Sequence, residues 1–201
     1  MVLHTLFALF VAAILLLGGE SATFIIRNNC PYTIWPAALT GAGSQPSTTG
    51  FELQSQASHN IDIPPPWGVW ERRQGLLNGD GGKDFYDVSN VDGFNLPVSI
   101  VPEASCPTTS CGVDINAECP AELAVRNQNG HAIGCKSACT AFNTPQDCCT
   151  GEYNSPTICQ HSKYSNFFEQ KCPQAYSYAY DDKTSTFTCP TGPNYKVTFC
   201  P

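Results

Sequence analysis

Cysteine is the residue whose number and position promise the most chemistry here. Twelve occur in 201 residues. Two chemistries suit so many thiols: disulfide bonds or a structural zinc site. The leader of the chain decides between them. Leu6–Leu17 is an apolar run between a polar start and the small residues Gly18, Gly19 and Ser21. It falls short of the about 20 apolar residues a bilayer span needs and reads as a secretory signal peptide over residues 1–21. Export places the cysteines in an oxidising compartment, where an even set pairs fully. No Cys-x-x-Cys repeat is present, which also counts against zinc. No metal or cofactor is expected. His59, His131 and His161 stand in no nucleophile–base context, so covalent catalysis has no candidate.

Composition narrows the partner. Residues 22–201 suffice for one domain. Only 13% of residues are charged, and there are sixteen glycines and sixteen prolines. Few charges with many turn formers suit a loop-rich, mainly β protein held by covalent staples. The formal charge of −7 argues against nucleic acid and anionic lipid. A neutral polysaccharide stays open. No Asn-x-Ser/Thr acceptor with a permitted middle residue occurs.

The elements that must position any site read as short strands. Residues 22–27, 32–35, 51–53 and 58–63 have β-type content, and Pro64-Pro65-Pro66 ends the last of them. Asn78-Gly79-Asp80-Gly81-Gly82 is a turn. Residues 83–89 alternate, with Tyr86 and Val88 on one face and Asp87 on the other. With the apolar face in the core, Asp87 points outward. Tyr176, Tyr178 and Tyr180 alternate likewise, with Asp181 at the end of that strand and on the opposite face. Most of the cysteines fall between Cys106 and Cys172, where strand signals fade; residues 134–142 are the best helix candidate there.

Several motifs carry a more specific message. Asn28-Asn-Cys-Pro-Tyr-Thr-Ile-Trp35, Asp84-Phe-Tyr-Asp-Val-Ser89, Val91-Asp-Gly-Phe-Asn-Leu-Pro97, Cys148-Cys-Thr-Gly151 and Cys172-Pro-Gln-Ala-Tyr-Ser-Tyr-Ala-Tyr-Asp181 follow one another in order. Together with the ending Asn194-Tyr-Lys-Val-Thr-Phe-Cys-Pro201, they resemble the thaumatin-like proteins, the pathogenesis-related group 5 proteins of plants. The resemblance runs from Ala22 to the last residue. It implies a mainly β fold: a flattened β-sandwich (about 22–105 and 175–201) beside a disulfide-rich lobe with short helices (about 106–174). The family carries sixteen cysteines, and the four absent here fall between Trp70 and Asp84, so a small disulfide lobe is missing. The pairs the family implies are Cys30–Cys200, Cys106–Cys189, Cys111–Cys172, Cys119–Cys135, Cys139–Cys148 and Cys149–Cys159.

The resemblance also implies an acidic cleft built from one Arg, one Glu and three Asp. The three Asp fall on Asp87, Asp92 and Asp181. The Arg and Glu have no clear counterpart: Gly68 precedes the position of Val69-Trp70 where the Arg would stand, and Gln74 occupies the place of the Glu. Glycoside hydrolysis normally takes two carboxyl groups, one of them a proton donor, and Gln supplies none. Removing a general acid costs roughly 10²–10⁴-fold in rate. The implied function is that of a secreted, antifungal plant defence protein. It would bind β-1,3-glucan of the fungal wall as a monomer in the apoplast or vacuole. A weak endo-β-1,3-glucanase, or an inhibitor of a foreign hydrolase, is the alternative.

Overall fold

The computed structural model describes residues 21–201 apart from 41, 44, 47, 64–66 and 70–74. The leader, the triple proline and the segment Trp70–Gln74 lie outside the described residues. Strands in the first half are β1 (Ala22–Asn28), β2 (Ala42–Gly43), β3 (Ser58–Ile63), β4 (Trp67–Val69), β5 (Gly75–Leu77), β6 (Lys83–Tyr86), β7 (Val88–Ser89), β8 (Gly93–Phe94) and β9 (Val98–Pro102). The second half holds β10 (Thr109–Cys111), β11 (Ala124–Arg126), β12 (Ala132–Lys136), β13 (Ala175–Tyr176), β14 (Phe187–Pro190) and β15 (Tyr195–Phe199). Four short helices join them: α1 (Ala138–Phe142), α2 (Pro145–Cys148), α3 (Lys163–Lys171) and α4 (Asp182–Ser185).

Two five-stranded sheets form the sandwich, ordered β10-β9-β15-β1-β3 and β14-β6-β5-β4-β2. Every second residue of β1 faces inward: Ala22, Ile26 and Asn28 are buried, and Phe24 packs against the same core. Ile61 and Ile63 of β3 join Leu77 of β5, Tyr86 of β6 and Tyr195 of β15 in that core. Burying each large apolar side chain contributes about 1.5–3 kcal/mol, so this layer is the main noncovalent support. Asn28 is buried without cost because it is satisfied: its Nδ2 donates to the Tyr32 and Leu53 carbonyls at 2.9 and 3.0 Å, and its Oδ1 accepts from Cys30 N at 2.9 Å.

β4 pairs antiparallel with β5, Gly68 opposite Leu76, and β5 continues onto β6. Pairing therefore runs unbroken from β4 through β5 to β6. The turn 78–82 joins β5 to β6, with Gly79 N donating to Lys83 O at 2.7 Å.

A second core, centred on Val88, Phe94, Ile115, Leu123, Phe168 and Ala175, holds the cysteine-rich part to the sandwich. Six disulfides run through the molecule: Cys30–Cys200, Cys106–Cys189, Cys111–Cys172, Cys119–Cys135, Cys139–Cys148 and Cys149–Cys159.

Three local expectations change. Residues 32–35 and 51–53 are not full strands; they meet as a single bridge, Ile34 opposite Leu53. Pro31 and Pro36 flank the first of them and supply no amide donor to extend a ladder. The helix expected over 134–142 begins only at Ala138, because Gly134–Lys136 belongs to β12 and Ser137 caps the helix, its hydroxyl accepting from Thr140 N. The short helices expected over about 106–174 include the nine-residue α3, whose capping box is formed by Ser162 and Ser165. Finally, the tyrosine alternation over 176–180 is not a strand beyond Tyr176. The chain leaves β13 there and turns into α4.

Candidate functional site

Asp87 occupies the one residue between β6 and β7. β6 pairs with β14 and β5, whereas β7 pairs with β13. The chain changes sheets at this point, and the alternation that would aim Asp87 outward breaks. Asp87 is instead 4% exposed, as deeply buried as Tyr86 and Val88 on either side. Both of its carboxyl oxygens are buried without a hydrogen-bond partner among the described residues. Burial, reinforced by the nearby charge of Asp182, pushes its pKa up to about 8. At neutral pH this carboxyl is mostly protonated.

Asp182 is exposed and opens α4. Its Oδ1 accepts from Tyr176 Oη at 2.9 Å, and Tyr176 also bonds the Thr186 hydroxyl. Burial holds the Tyr176 phenol far above its ordinary pKa, and Asp182 and Asp87 push in the same direction. Asp87, Tyr176 and Asp182 thus form one electrostatic unit at the end of β13.

Asp181 faces a different set of donors. Its Oδ2 accepts from Ser177 N at 2.9 Å and Ser177 Oγ at 2.7 Å, and its Oδ1 from Thr184 Oγ1 at 3.2 Å. These bonds fold the 177–181 turn. Glu169 of α3 comes up beside it. Burial, then the Asp181 charge, raise the Glu169 pKa, while His161 opposes them. His161 packs on the Tyr178 ring at 4.2 Å between centroids. Asp87 with Asp182 and Asp181 with Glu169 are therefore electrostatic neighbours, and the adjacent Asp181 and Asp182 join the two pairs into one acidic edge.

Asp92 is exposed in the turn 90–93, where Gly93 N donates to Asn90 O at 2.9 Å. Its carbonyl accepts from Ser137 N at 3.4 Å and Thr140 Oγ1 at 2.9 Å, which fastens the turn to the start of α1. A crevice separates this turn from the Asp181 segment. Val91, Ser137, Ser177 and Tyr178 are among the residues that line it. Its free space is only about 20 Å³, room for a water and not for a sugar ring.

Of the three carboxylates implied by resemblance, Asp181 and Asp87 share the neighbourhood of Asp182, Asp92 stands across the crevice, and only Asp92 is exposed. Glu169 and Asp182 were missed. The Ser162-x-x-Ser165 pair ahead of Phe167-Phe168 marks the helix that carries Glu169. Asp182 adjoins Asp181 in the sequence. Gly68 has a described backbone on β4, and Gln74 lies outside the described residues. Among the described residues, no group of His, Cys, Asp or Glu could hold a metal ion, and no helix is long and apolar enough to cross a membrane.

The chain matches the thaumatin family model over residues 28–80 and 74–201. The two matched segments overlap over residues 74–80. It is 45% identical to "Glucan endo-1,3-beta-glucosidase" of Prunus avium over 226 aligned residues, covering 92% of each chain. It is 46% identical to "Thaumatin-like protein 1" of Pyrus pyrifolia, covering 92% of this chain and 93% of that one. With "Pathogenesis-related protein 5" of Arabidopsis thaliana it shares 40% identity over 99% of this chain and 98% of the other.

Proposed function

The chain belongs to the thaumatin family, and on that premise we propose that it is a secreted plant defence protein whose acidic edge binds β-1,3-glucan of the fungal wall. The observation that carries this reading is the gathering of Asp181, Asp182 and Glu169 beside the Tyr178–His161 pair, opposite the exposed Asp92. Carboxylates and amide or hydroxyl groups accept hydrogen bonds from sugar hydroxyls, and a half-buried aromatic ring offers a flat apolar face to the sugar. A formal charge of −7 disfavours phosphate-rich partners and leaves a neutral polymer as the fitting one.

A second reading, slow hydrolysis of the same polymer, is favoured by one observation. Asp87 keeps its proton toward about pH 8, as a general acid must. The naming of the Prunus avium relative as a glucan endo-1,3-beta-glucosidase points the same way. Binding remains the better reading, because both Asp87 oxygens are buried and a donor must reach the glycosidic oxygen.

Co-sedimentation with insoluble β-1,3-glucan tests the proposal. The native protein should pellet with the polymer, and Asp92→Asn and Glu169→Gln should each leave more of it in solution. Native protein that stays in the supernatant, or variants that pellet equally, would overturn it. Reducing sugar released from a linear β-1,3-glucan, and abolished in Asp87→Asn, would move the conclusion to hydrolysis.

A further inference from the structure

A groove of about 900 Å³ runs between the segment after β1, the β8–β9 connection, β12 and the C-terminal strand. None of the carboxylates of the acidic edge lines it. About four residues separate Ser137, just past the end of β12 and bonded to the Asp92 carbonyl, from Ile133 in the groove, or roughly 13 Å at strand spacing.

Its lining is unusual for this molecule. Trp35 is 69% exposed, Ile133 52% and Tyr32 51%, and these are three of the nine large exposed apolar side chains among the described residues. Large rings left on the surface and gathered at one concavity mark a binding site rather than chance exposure. The backbone that carries the rings is also held in place before any ligand arrives. Cys30–Cys200 ties the start of their segment to the C-terminus. Asn28 Nδ2 fixes the Tyr32 carbonyl at 2.9 Å, and Ile34 exchanges two backbone hydrogen bonds with Leu53 at 2.9 and 3.0 Å. A preorganised platform loses little entropy on binding.

The polar side of the groove is equally specific. Asn116 Nδ2 donates to Asn95 O at 2.9 Å, and Asn116 N donates to Asp114 Oδ1 at 3.0 Å, so amide and carboxylate are set as a rigid pair. Among the described residues, no Lys, Arg or His lines the groove. A phosphate or sulfate has nothing to pair with there, and the net charge of the chain repels both. Flat rings together with a carboxylate and amides around one groove match the two aspects of a pyranose: an apolar C–H face and a rim of hydroxyl donors.

We propose that this groove is a second glycan-binding site, separate from the acidic edge, which takes a neutral oligosaccharide stacked on Trp35 and Tyr32. The proposal stands without the reading of the acidic edge. If both are right, one polymer chain or two neighbouring chains engage both sites, and avidity exceeds either alone.

The test titrates the full protein with soluble β-1,3-glucan, cello-oligosaccharide and chito-oligosaccharide, read by calorimetry. Trp35→Ala and Tyr32→Ala should each weaken binding of the preferred sugar by roughly tenfold or more, as loss of a central aromatic anchor does. Trp35→Phe should restore most of it. Thermal melting should not move, since Trp35 projects outward. Asp92→Asn is run alongside. Loss in Asp92→Asn alone leaves the acidic edge standing and overturns the groove. Loss in the ring variants alone keeps the groove and overturns the edge. Binding of a basic peptide in place of every sugar, or of no sugar at all, also overturns the groove.

Discussion

Asp84 and Asp87 stand three residues apart, both almost fully buried, and differ completely in their partners. Asp84 accepts from Asn78 N at 2.9 Å, Thr191 Oγ1 at 3.0 Å and Tyr195 Oη at 2.8 Å. Asp87 accepts from nothing among the described residues. One carboxylate is a structural knot between β5, β6, β14 and β15. The other is a buried acid whose ionisation the fold opposes.

The sign of the Asp87 effect follows from its pKa of about 8 in the fold against about 4 in the unfolded chain. Between those values the native state holds a proton that the unfolded state has lost. Stability therefore falls as pH rises through this window, by up to about 1.4 kcal/mol per pH unit. Asp87→Asn removes the titration. Its stability relative to the native protein should climb from pH 4 to pH 8 and then level off. Urea unfolding at five pH values measures this, and parallel profiles for the two proteins would disprove it.

Asp84→Ala acts in the opposite direction. It orphans a buried tyrosine hydroxyl, a threonine hydroxyl and the amide of Asn78, which sits at φ 54 in the left-handed region. Three lost bonds to a charged acceptor should cost about 3–5 kcal/mol. A shift in the urea midpoint worth less than about 1 kcal/mol would show that the knot carries little.

Much of the fold was legible because period-two burial is local. β1 and β3 follow directly from Ala22-x-x-x-Ile26 and Ile61-x-Ile63, and the turn at 78–82 from its glycines. The exposure of Asp87 was not legible, because it depends on where the chain changes sheets. That point is set by which strands pair, a long-range choice outside residues 83–89. The tyrosine stripe failed for a related reason. Asp181 gathers Ser177 N and Oγ and folds the segment into a turn, a local competition that alternation does not register. Spacing alone leaves about ten thousand pairings of twelve cysteines, so their connectivity depended on resemblance. The Trp35 groove is assembled from five separate segments and left no trace in any one of them.

Gly93 tests how the Asp92 turn is held. Its φ is +122, and a Cβ there would lie 2.4 Å from Cys135 O. Gly93→Ala must push β8 off β12 and disturb the Asp92 carbonyl that Ser137 and Thr140 grip. A loss of about 3 kcal/mol is expected. Gly81→Ala is the control: its φ is +67 with nothing near the added methyl, so strain of about 1 kcal/mol should be all it shows. Equal melting shifts would remove the steric argument.

The disulfides should differ in what they contribute, and loop length should rank them. Cys30–Cys200 spans 170 residues and Cys139–Cys148 only 9. In the chain-entropy account, closing the first is worth about 5 kcal/mol and the second about 2.5. Replacing each pair by alanine should lower the urea midpoint in that order. The long link has a second effect that the short one lacks. Cys30 is fully buried in the sandwich core, two residues before Tyr32, and Cys200 lines the same groove as Trp35. Its loss should loosen the aromatic platform as well as the fold, so glycan affinity should fall at urea concentrations far below the unfolding transition. In the Cys139–Cys148 variant affinity should persist until unfolding begins. Equal stability losses in the two variants would refute the loop-length ranking, and unchanged affinity without Cys30–Cys200 would show that the platform needs no such tether.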